Sequence, residues 1–304
     1  MTRVFIGVDG GGTRTRAVAV DEHGTELTRG FGSASLIDPL APARSASTVE
    51  RVVRTIAEVL RLDLPCDAIW AGLAGAGHQP SRRAVETELR GSGLARTVHV
   101  GTDVDAALVD AFPDGPGILL GSGTGSVAAA RDRDGTVRRV GGWGAVLGDE
   151  GSGYAVGLEG RRAAMRMLDG RQRATELLPA IIEWTDVEEP ADVTSWIASA
   201  TKAEVAALAA TVVAAAEAGD PSAGHILANA VDDLLDHVRA LADSSGPFPE
   251  VALAGGMIES DPGLLRPRVV VALEEHGFRV RPGSVDAARG AALCAIRAWE
   301  TRSE

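Results

Sequence analysis

The run Val4-Phe5-Ile6-Gly7-Val8 is apolar and β-prone, and it stops at Asp9 and three glycines, which predicts a first strand ending at a glycine-rich turn. Thr15 to Val20 reads as a second strand, Asp21-Glu22-His23-Gly24 as its hairpin turn and Glu26 to Phe31 as a third strand. Between Pro42 and Leu60 the apolar positions Val49, Val52, Val53, Ile56 and Leu60 fall at helical spacing. Further strands are predicted at Ala68 to Leu73, Thr97 to Gly101 and Gly117 to Gly121, with helices between them. From Asp149 to about Leu241 the chain is alanine-rich and reads as mostly helical. A strand at Val251 to Ala254, a helix, a strand at Phe278 to Val280 and a last helix from Val285 to Trp299 close the pattern. Strand hairpins followed by alternating helix and strand indicate an α/β protein with mixed sheets.

The pattern repeats. Gly10 to Thr25 lies without gaps on Gly121 to Thr136, with Gly10/Gly121, Gly12/Gly123, Thr13/Thr124, Ala17/Ala128, Ala19/Ala130, Asp21/Asp132, Gly24/Gly135 and Thr25/Thr136 identical. Chance similarity of two glycine-rich hairpins is the plainer explanation. The better account is two similar lobes, each opening with strand, glycine-rich turn and strand.

Length agrees with two lobes, since 304 residues are about twice a typical domain. Hydrophobic residues at 45% and charged residues at 24% are an ordinary globular mix. The net charge of −12 argues against a nucleic-acid or anionic-membrane surface, and aromatics at 4% leave few platforms for stacking bases. Cys66 and Cys294 form no CxxC pattern, so neither a disulfide framework nor a zinc site is indicated. With no signal-like or membrane-spanning stretch, a cytoplasmic location is expected. Lys202 is the only lysine and sits in no glycine-rich loop, which excludes a Walker A nucleotide site and leaves lysine Schiff-base chemistry without a good candidate.

Each repeat sets Gly-x-Gly-Thr between two strands. Glycines let backbone N–H groups approach a ligand, and threonine adds a hydroxyl, so two such turns suit a polyphosphate; a tight hairpin is the structural alternative. A Rossmann site fits poorly, because both turns lead into a strand and the GxGxxG register ends in Thr15 or Ser126. Asp9 precedes the first turn while Leu120 stands at its counterpart, and one carboxylate beside phosphates suits a single Mg2+.

Asp9-Gly-Gly-Gly-Thr13, Gly121-Ser-Gly-Thr-Gly125 and Leu253-Ala-Gly-Gly-Met257 resemble the phosphate 1, phosphate 2 and adenosine motifs of the actin/hexokinase/Hsp70 ATPase superfamily. Gly141-Gly-Trp-Gly144 and Gly148-Asp-Glu-Gly-Ser-Gly153 resemble the N-acetylglucosamine kinases of the BadF/BadG/BcrA/BcrD ATPase family. The resemblance implies two ribonuclease-H-like lobes with mixed five-stranded sheets, a cleft between them holding ATP and a sugar, and often a homodimer. It places the first lobe at residues 1–116 with 286–304 and the second at 117–285, the last helix folding back onto the first lobe. It implies an ATP-dependent amino-sugar kinase using Mg2+ and phosphorylating N-acetylglucosamine, with position 6 implied by resemblance alone.

Carried over residue by residue, ATP falls to Gly11, Gly12, Thr13, Gly123, Thr124, Gly125, Ala206, Gly255 and Gly256, and the metal to Asp9. Ala206 reads equally well as a core alanine. Asp103, just after the strand ending at Gly101, matches the catalytic aspartate, which would accept the hydroxyl proton; its alternative is a helix cap, and Asp105 is the rival carboxylate. The sugar falls to Ser35, Asp103, Gly142, Trp143, Gly144 and Asp149, with packing as the alternative for Trp143 and a first-turn helix role for Asp149. His78 reads as a loop residue. Related N-acetylglucosamine kinases usually carry asparagine where Ser35 stands, which makes glucosamine an alternative acceptor. The same family includes ATP-driven activators of 2-hydroxyacyl-CoA dehydratases, which need cluster-ligating thiolates that Cys66 and Cys294 do not resemble. A sugar-responsive regulator would need a basic helix-turn-helix segment, and none is evident.

Overall fold

The computed structural model describes residues 3–172, 175–186, 192–245, 248, 250–259 and 264–303. It divides into two compact units, residues 1–114 with 285–304 and residues 115–284.

The first unit holds strands β1 (Phe5–Gly10), β2 (Arg14–Val20), β3 (Glu26–Ser33), β4 (Cys66–Leu73) and β5 (Ala95–Gly101), arranged β3-β2-β1-β4-β5. The β1–β2 and β2–β3 pairs are antiparallel, and β1–β4 and β4–β5 are parallel. Helices α1 (Pro42–Leu60), α2 (Gln79–Gly91), α3 (Asp103–Ala111) and, from the chain end, α11 (Ala287–Ser303) complete it. β1 is apolar from Phe5 to Val8 because both of its faces are covered. Ile6 and Val8 pack with Val49, Val52, Val53 and Ile56 of α1, while Phe5 lies with Ala288, Ala292 and Ala295 of α11. Each such large side chain removed from water contributes about 1.5–3 kcal/mol. Gly7 sits under α11 so closely that a Cβ there would stand 2.0 Å from the Ala292 amide nitrogen.

The second unit repeats the plan. Strands β6 (Gly117–Ser122), β7 (Ser126–Arg131), β8 (Val137–Gly141), β9 (Glu250–Ala254) and β10 (Arg279–Val280) run in the order β10-β9-β6-β7-β8, with the same antiparallel and parallel pairings. Its described helices are α4 (Gly153–Leu168), α5 (Leu177–Thr185), α6 (Asp192–Ser199), α7 (Lys202–Ala207), α8 (Ala209–Glu217), α9 (Pro221–Ser245) and α10 (Arg266–Glu275). Ile118, Leu120 and Leu253 of the sheet share a core with α4, α8 and α9. The two-lobed α/β fold with mixed five-stranded sheets is therefore present, and the sequence repeat corresponds to a repeated strand plan. β8 lies outside the strands the sequence predicts, because its Val137-Arg138-Arg139 stretch is an exposed edge with little apolar pattern.

Candidate active site

In the first unit the parallel strands β1, β4 and β5 end along one edge, since Gly10 pairs with Leu73 and Gly72 with Gly101. That edge carries the turn 11–13, the 74–75 bend and Thr102-Asp103. The turn is ordered by its carbonyls. Gly11 O accepts from the amides of Ser35 and Leu36, at 3.1 Å each, and Gly10 O accepts from Ala74 N at 2.8 Å. The amides of Gly12 and Thr13 donate to no described group, and both residues are exposed. Carbonyls turned inward with amides turned outward make an anion-binding concavity.

Asp9, at the end of β1, is bound by Arg16 of β2, whose Nη2 and Nε donate to Oδ2 at 2.8 and 3.1 Å. Burial pushes the Asp9 carboxyl above its ordinary range, and the Arg16 guanidinium pulls it back only in part. Arg16 was not among the expected site residues; its position opposite Asp9 follows from the β1–β2 register.

Asp103 is the first residue of α3 and is half-buried. Its Oδ1 accepts from the Val104 amide at 3.0 Å. The cap of α3 is Thr102, whose Oγ1 accepts from Asp105 N, while the Asp105 carboxylate accepts from Thr102 N. Capping is thus the work of Thr102 and Asp105. His78, expected in a loop, precedes α2 and its Nδ1 shares a hydrogen bond with Ser81 Oγ at 2.6 Å.

Ser35, expected at the sugar, lies just after β3. It is 2% exposed, its hydroxyl donates to Thr15 Oγ1 at 2.7 Å, and Thr15 in turn donates to Ser33 O at 2.6 Å. A Cβ on Gly10 would come within 2.0 Å of Ser35 Oγ. The hydroxyl ties the chain after β3 to the start of β2.

In the second unit the turn 123–125 follows the same logic. Gly123 O accepts from Gly153 N at 2.8 Å and Thr124 O from Tyr154 N at 3.4 Å, both at the start of α4. The amides of Thr124 and Gly125 donate to no described group. Gly255, at φ 91°, closes onto this turn; a Cβ there would stand 2.5 Å from Ser122 O, and Met257 N donates to that same oxygen at 3.0 Å. Gly256 N lies 3.6 Å from where a Gly123 Cβ would be, so the Gly255-Gly256 segment borders the turn. Ala206 of α7 presents its carbonyl 3.2 Å from the Cβ position of Gly153. Gly153 and Gly157 let α7 approach α4 this closely, the latter with Val205 O only 2.1 Å from its Cβ position.

Asp149, also expected at the sugar, lies just before α4. It is 3% exposed, at φ 60°, with its carboxylate beneath Gly125. Its Oδ2 accepts from Lys202 Nζ at 2.6 Å and its Oδ1 from Ser126 N at 3.4 Å. Both oxygens are engaged inside the unit, against the phosphate-type turn. No lysine motif surrounds Lys202 in the sequence; 53 residues separate it from Asp149, and no local signal joins them.

Gly141, Gly142 and Gly144 all hold positive φ, at 75°, 73° and 87°, conformations that L side chains rarely adopt. This backbone presents Trp143 outward at 75% exposure, which disposes of a packing role. Behind it, a Cβ on Gly141 would stand 2.3 Å from Nε2 of the buried His237. Among the described residues no group of three or more His, Cys, Asp or Glu side chains is arranged to hold a metal ion. Cys66 is buried in β4, where burial pushes its thiol up to about 12, the opposite of a cluster-ligating thiolate.

The sequence model of the BadF/BadG/BcrA/BcrD ATPase family matches residues 6–295. The N-acetylmuramic acid/N-acetylglucosamine kinase of Clostridium acetobutylicum is 32% identical over 271 residues, covering 85% of this chain and 86% of its own. The N-acetyl-D-glucosamine kinase of Dictyostelium discoideum is 29% identical over 315 residues, covering 96% and 98%. A crystal structure from Chromobacterium violaceum, solved as a candidate N-acetylglucosamine kinase, superposes with a TM-score of 0.80 at 32% identity, covering 96% of this chain and 98% of that one.

Proposed function

The chain belongs to the BadF/BadG/BcrA/BcrD ATPase family, and from that premise we propose that it is an ATP-dependent kinase transferring the γ-phosphoryl group to a hydroxyl of N-acetylglucosamine. The kinase relatives at 32% and 29% identity support both the reaction and the acceptor. The observation that carries the reading is the duplicated turn. The same hairpin ends the central strand of both sheets, with carbonyls bonded inward and the amides of Gly12, Thr13, Thr124 and Gly125 directed to no described group.

In this reading Gly11, Gly12, Thr13, Gly123, Thr124 and Gly125 bind the ATP phosphates, and Ala206, Gly255 and Gly256 border the nucleoside. Asp103 accepts the proton of the attacking hydroxyl and orients its oxygen. Its place at the carboxyl end of β5, outside the capping bonds, supports that role. Gly142, Trp143 and Gly144 contact the sugar, Trp143 through a ring face or its N–H. The acceptor hydroxyl is the one at position 6. Ser35 and Asp149 border the turns and complete the sugar site, and with serine in place of asparagine at position 35 glucosamine stands as the alternative acceptor.

Mg2+ binds through one or two carboxylates together with phosphates and several waters. Asp9 fits that donor set: Oδ2 is held by Arg16 and Oδ1 remains for a metal or its water. When bound, the ion neutralises charge on the phosphates. No described helix is long and apolar enough to cross a membrane, and the proposed setting is a homodimer in the cytoplasm, where ATP is available. A coupled ADP-release screen over N-acetylglucosamine, glucosamine, N-acetylmannosamine and glucose tests the reading. Sugar-dependent ADP release greatest with N-acetylglucosamine is expected; the lack of sugar-dependent release with all four would refute it.

A further inference from the structure

The chain carries 29 arginines and one lysine, and that lysine stands at the second phosphate-type turn. Lys202 opens α7, and its backbone is fixed by the preceding residue. Thr201 Oγ1 accepts from Glu204 N, and the Glu204 carboxylate accepts from Thr201 N at 2.7 Å. From there the side chain reaches Asp149, Nζ to Oδ2 2.6 Å. The two partners differ in exposure: the Asp149 side chain is 5% exposed and that of Lys202 is 42% exposed. Of three N–H bonds on the ammonium, one is spent on Asp149, and no other described residue accepts from it.

The carboxylate that holds it is part of the turn. A Cβ on Gly125 would stand 3.0 and 3.1 Å from the two Asp149 oxygens, and Asp149 Oδ1 receives the Ser126 amide at 3.4 Å. A buried carboxylate directly beneath a loop that takes phosphates would repel them, because like charges a few ångströms apart interact strongly where water is scarce. The ammonium cancels that charge, and its remaining donors stay on the open side of the pair. A lysine suits this place better than an arginine, since a compact charge with rotatable donors can follow a phosphate, whereas a guanidinium fork would be fixed by the carboxylate.

We infer that Lys202 is a nucleotide-binding residue: held on Asp149, it donates to the β-phosphate of the nucleotide bound at the turn 123–125. The inference rests on the kinase reading for the identity of the nucleotide. It uses none of the acceptor chemistry.

The test is calorimetric binding of ADP, of a non-hydrolysable ATP analogue and of adenosine, without sugar, to wild type, Lys202→Met and Lys202→Met/Asp149→Asn. Lys202→Met is expected to bind both phosphorylated ligands at least about tenfold more weakly and adenosine as wild type does. The double variant, which also loses the repelling carboxylate, is expected to stay weak. Recovery of wild-type affinity in the double variant would overturn the phosphate contact, leaving Lys202 as a mere counter-charge to Asp149. Unchanged ADP binding by Lys202→Met, or an equal loss for adenosine, would overturn it too. Melting temperatures report whether each variant folds, and the double variant, with no orphaned buried charge, keeps the test available if the single one does not. A wild-type chain that binds nucleotide but phosphorylates no sugar would refute the kinase reading and leave this inference standing.

Discussion

Thr102 and Asp105 close a reciprocal box at the start of α3, the Thr102 hydroxyl accepting from the Asp105 amide and the Asp105 carboxylate accepting from the Thr102 amide. The helix is therefore capped without Asp103, which sits between the two at the carboxyl edge of the parallel strands. Thr102→Ala removes the cap, and a loss of about 0.5–2 kcal/mol in stability is expected. Chemical denaturation measures it; an unchanged midpoint would mean that the box contributes nothing in solution.

Gly255 is expected to tolerate no side chain. Gly255→Ala forces a Cβ to 2.5 Å from Ser122 O at φ 91°, a strain of about 1–3 kcal/mol if the backbone holds. Because the same segment borders the turn 123–125, the KM for ATP should rise while the KM for the sugar changes little. Steady-state kinetics with each substrate varied in turn separates the two; a rise confined to the sugar would contradict the assignment of this segment to the nucleotide.

Asp110 of α3 ties down the last helix. It is 7% exposed, its Oδ1 accepts from Arg289 Nε at 2.7 Å and its Oδ2 from Asp286 N at 2.8 Å. α11 lies close enough that a Cβ on Gly290 would stand 2.0 Å from Ala106 O. Asp110→Ala should cost about 1.5–3 kcal/mol, the usual range for hydrogen bonds to a charged group, and hydrogen exchange should quicken first in α11. Protection of α11 equal to wild type would show that apolar packing alone anchors it.

The burial of Asp9 gives a pH dependence of definite sign. Burial raises the Asp9 pKa in the folded chain, and Arg16 opposes the rise. Between the ordinary carboxylate value and the raised one, the folded chain holds a proton that the unfolded chain has lost. Stability from this group therefore falls as pH rises through that window and is restored below it. Arg16→Leu removes the opposing charge, so the window should extend further upward. If the ionised carboxylate serves Mg2+, the acid limb of kcat/KM should move to higher pH as well. Asp9→Asn should lower turnover with every sugar at any Mg2+ concentration. Coincident pH–rate profiles for wild type and Arg16→Leu would remove Asp9 from the metal.

Much of this was legible in the sequence, where periodicity and a local repeat carry the signal. The β1 run, the α1 stripe from Val49 to Leu60 and the paired Gly-x-Gly-Thr turns are local patterns, and burial of both faces of β1 explains why its run is unbroken. What escaped depended on contacts between distant residues. Lys202 reaches Asp149 across 53 positions, and Ser35 turns to Thr15 across 20. Neither direction is encoded in the neighbouring residues. Asp103 as a cap was a reasonable alternative until Thr102, one residue earlier, took that place. The exposed strand β8 carried too few apolar residues to be seen at all.

The most direct test is turnover of N-acetylglucosamine with ATP by wild type and Asp103→Asn, with Asp105→Asn as the internal control. Asparagine keeps the size of Asp103 but cannot take the proton of the attacking hydroxyl, and general-base contributions are typically about 100- to 10,000-fold. The expected result is formation of a phosphorylated sugar by wild type and a fall in kcat of at least about two orders of magnitude for Asp103→Asn, with sugar affinity by calorimetry retained. Asp105→Asn, whose amide oxygen still accepts from Thr102 N, should keep most of its activity. Asp103→Asn within about threefold of wild type, or Asp105→Asn as the inactive variant, would contradict the account.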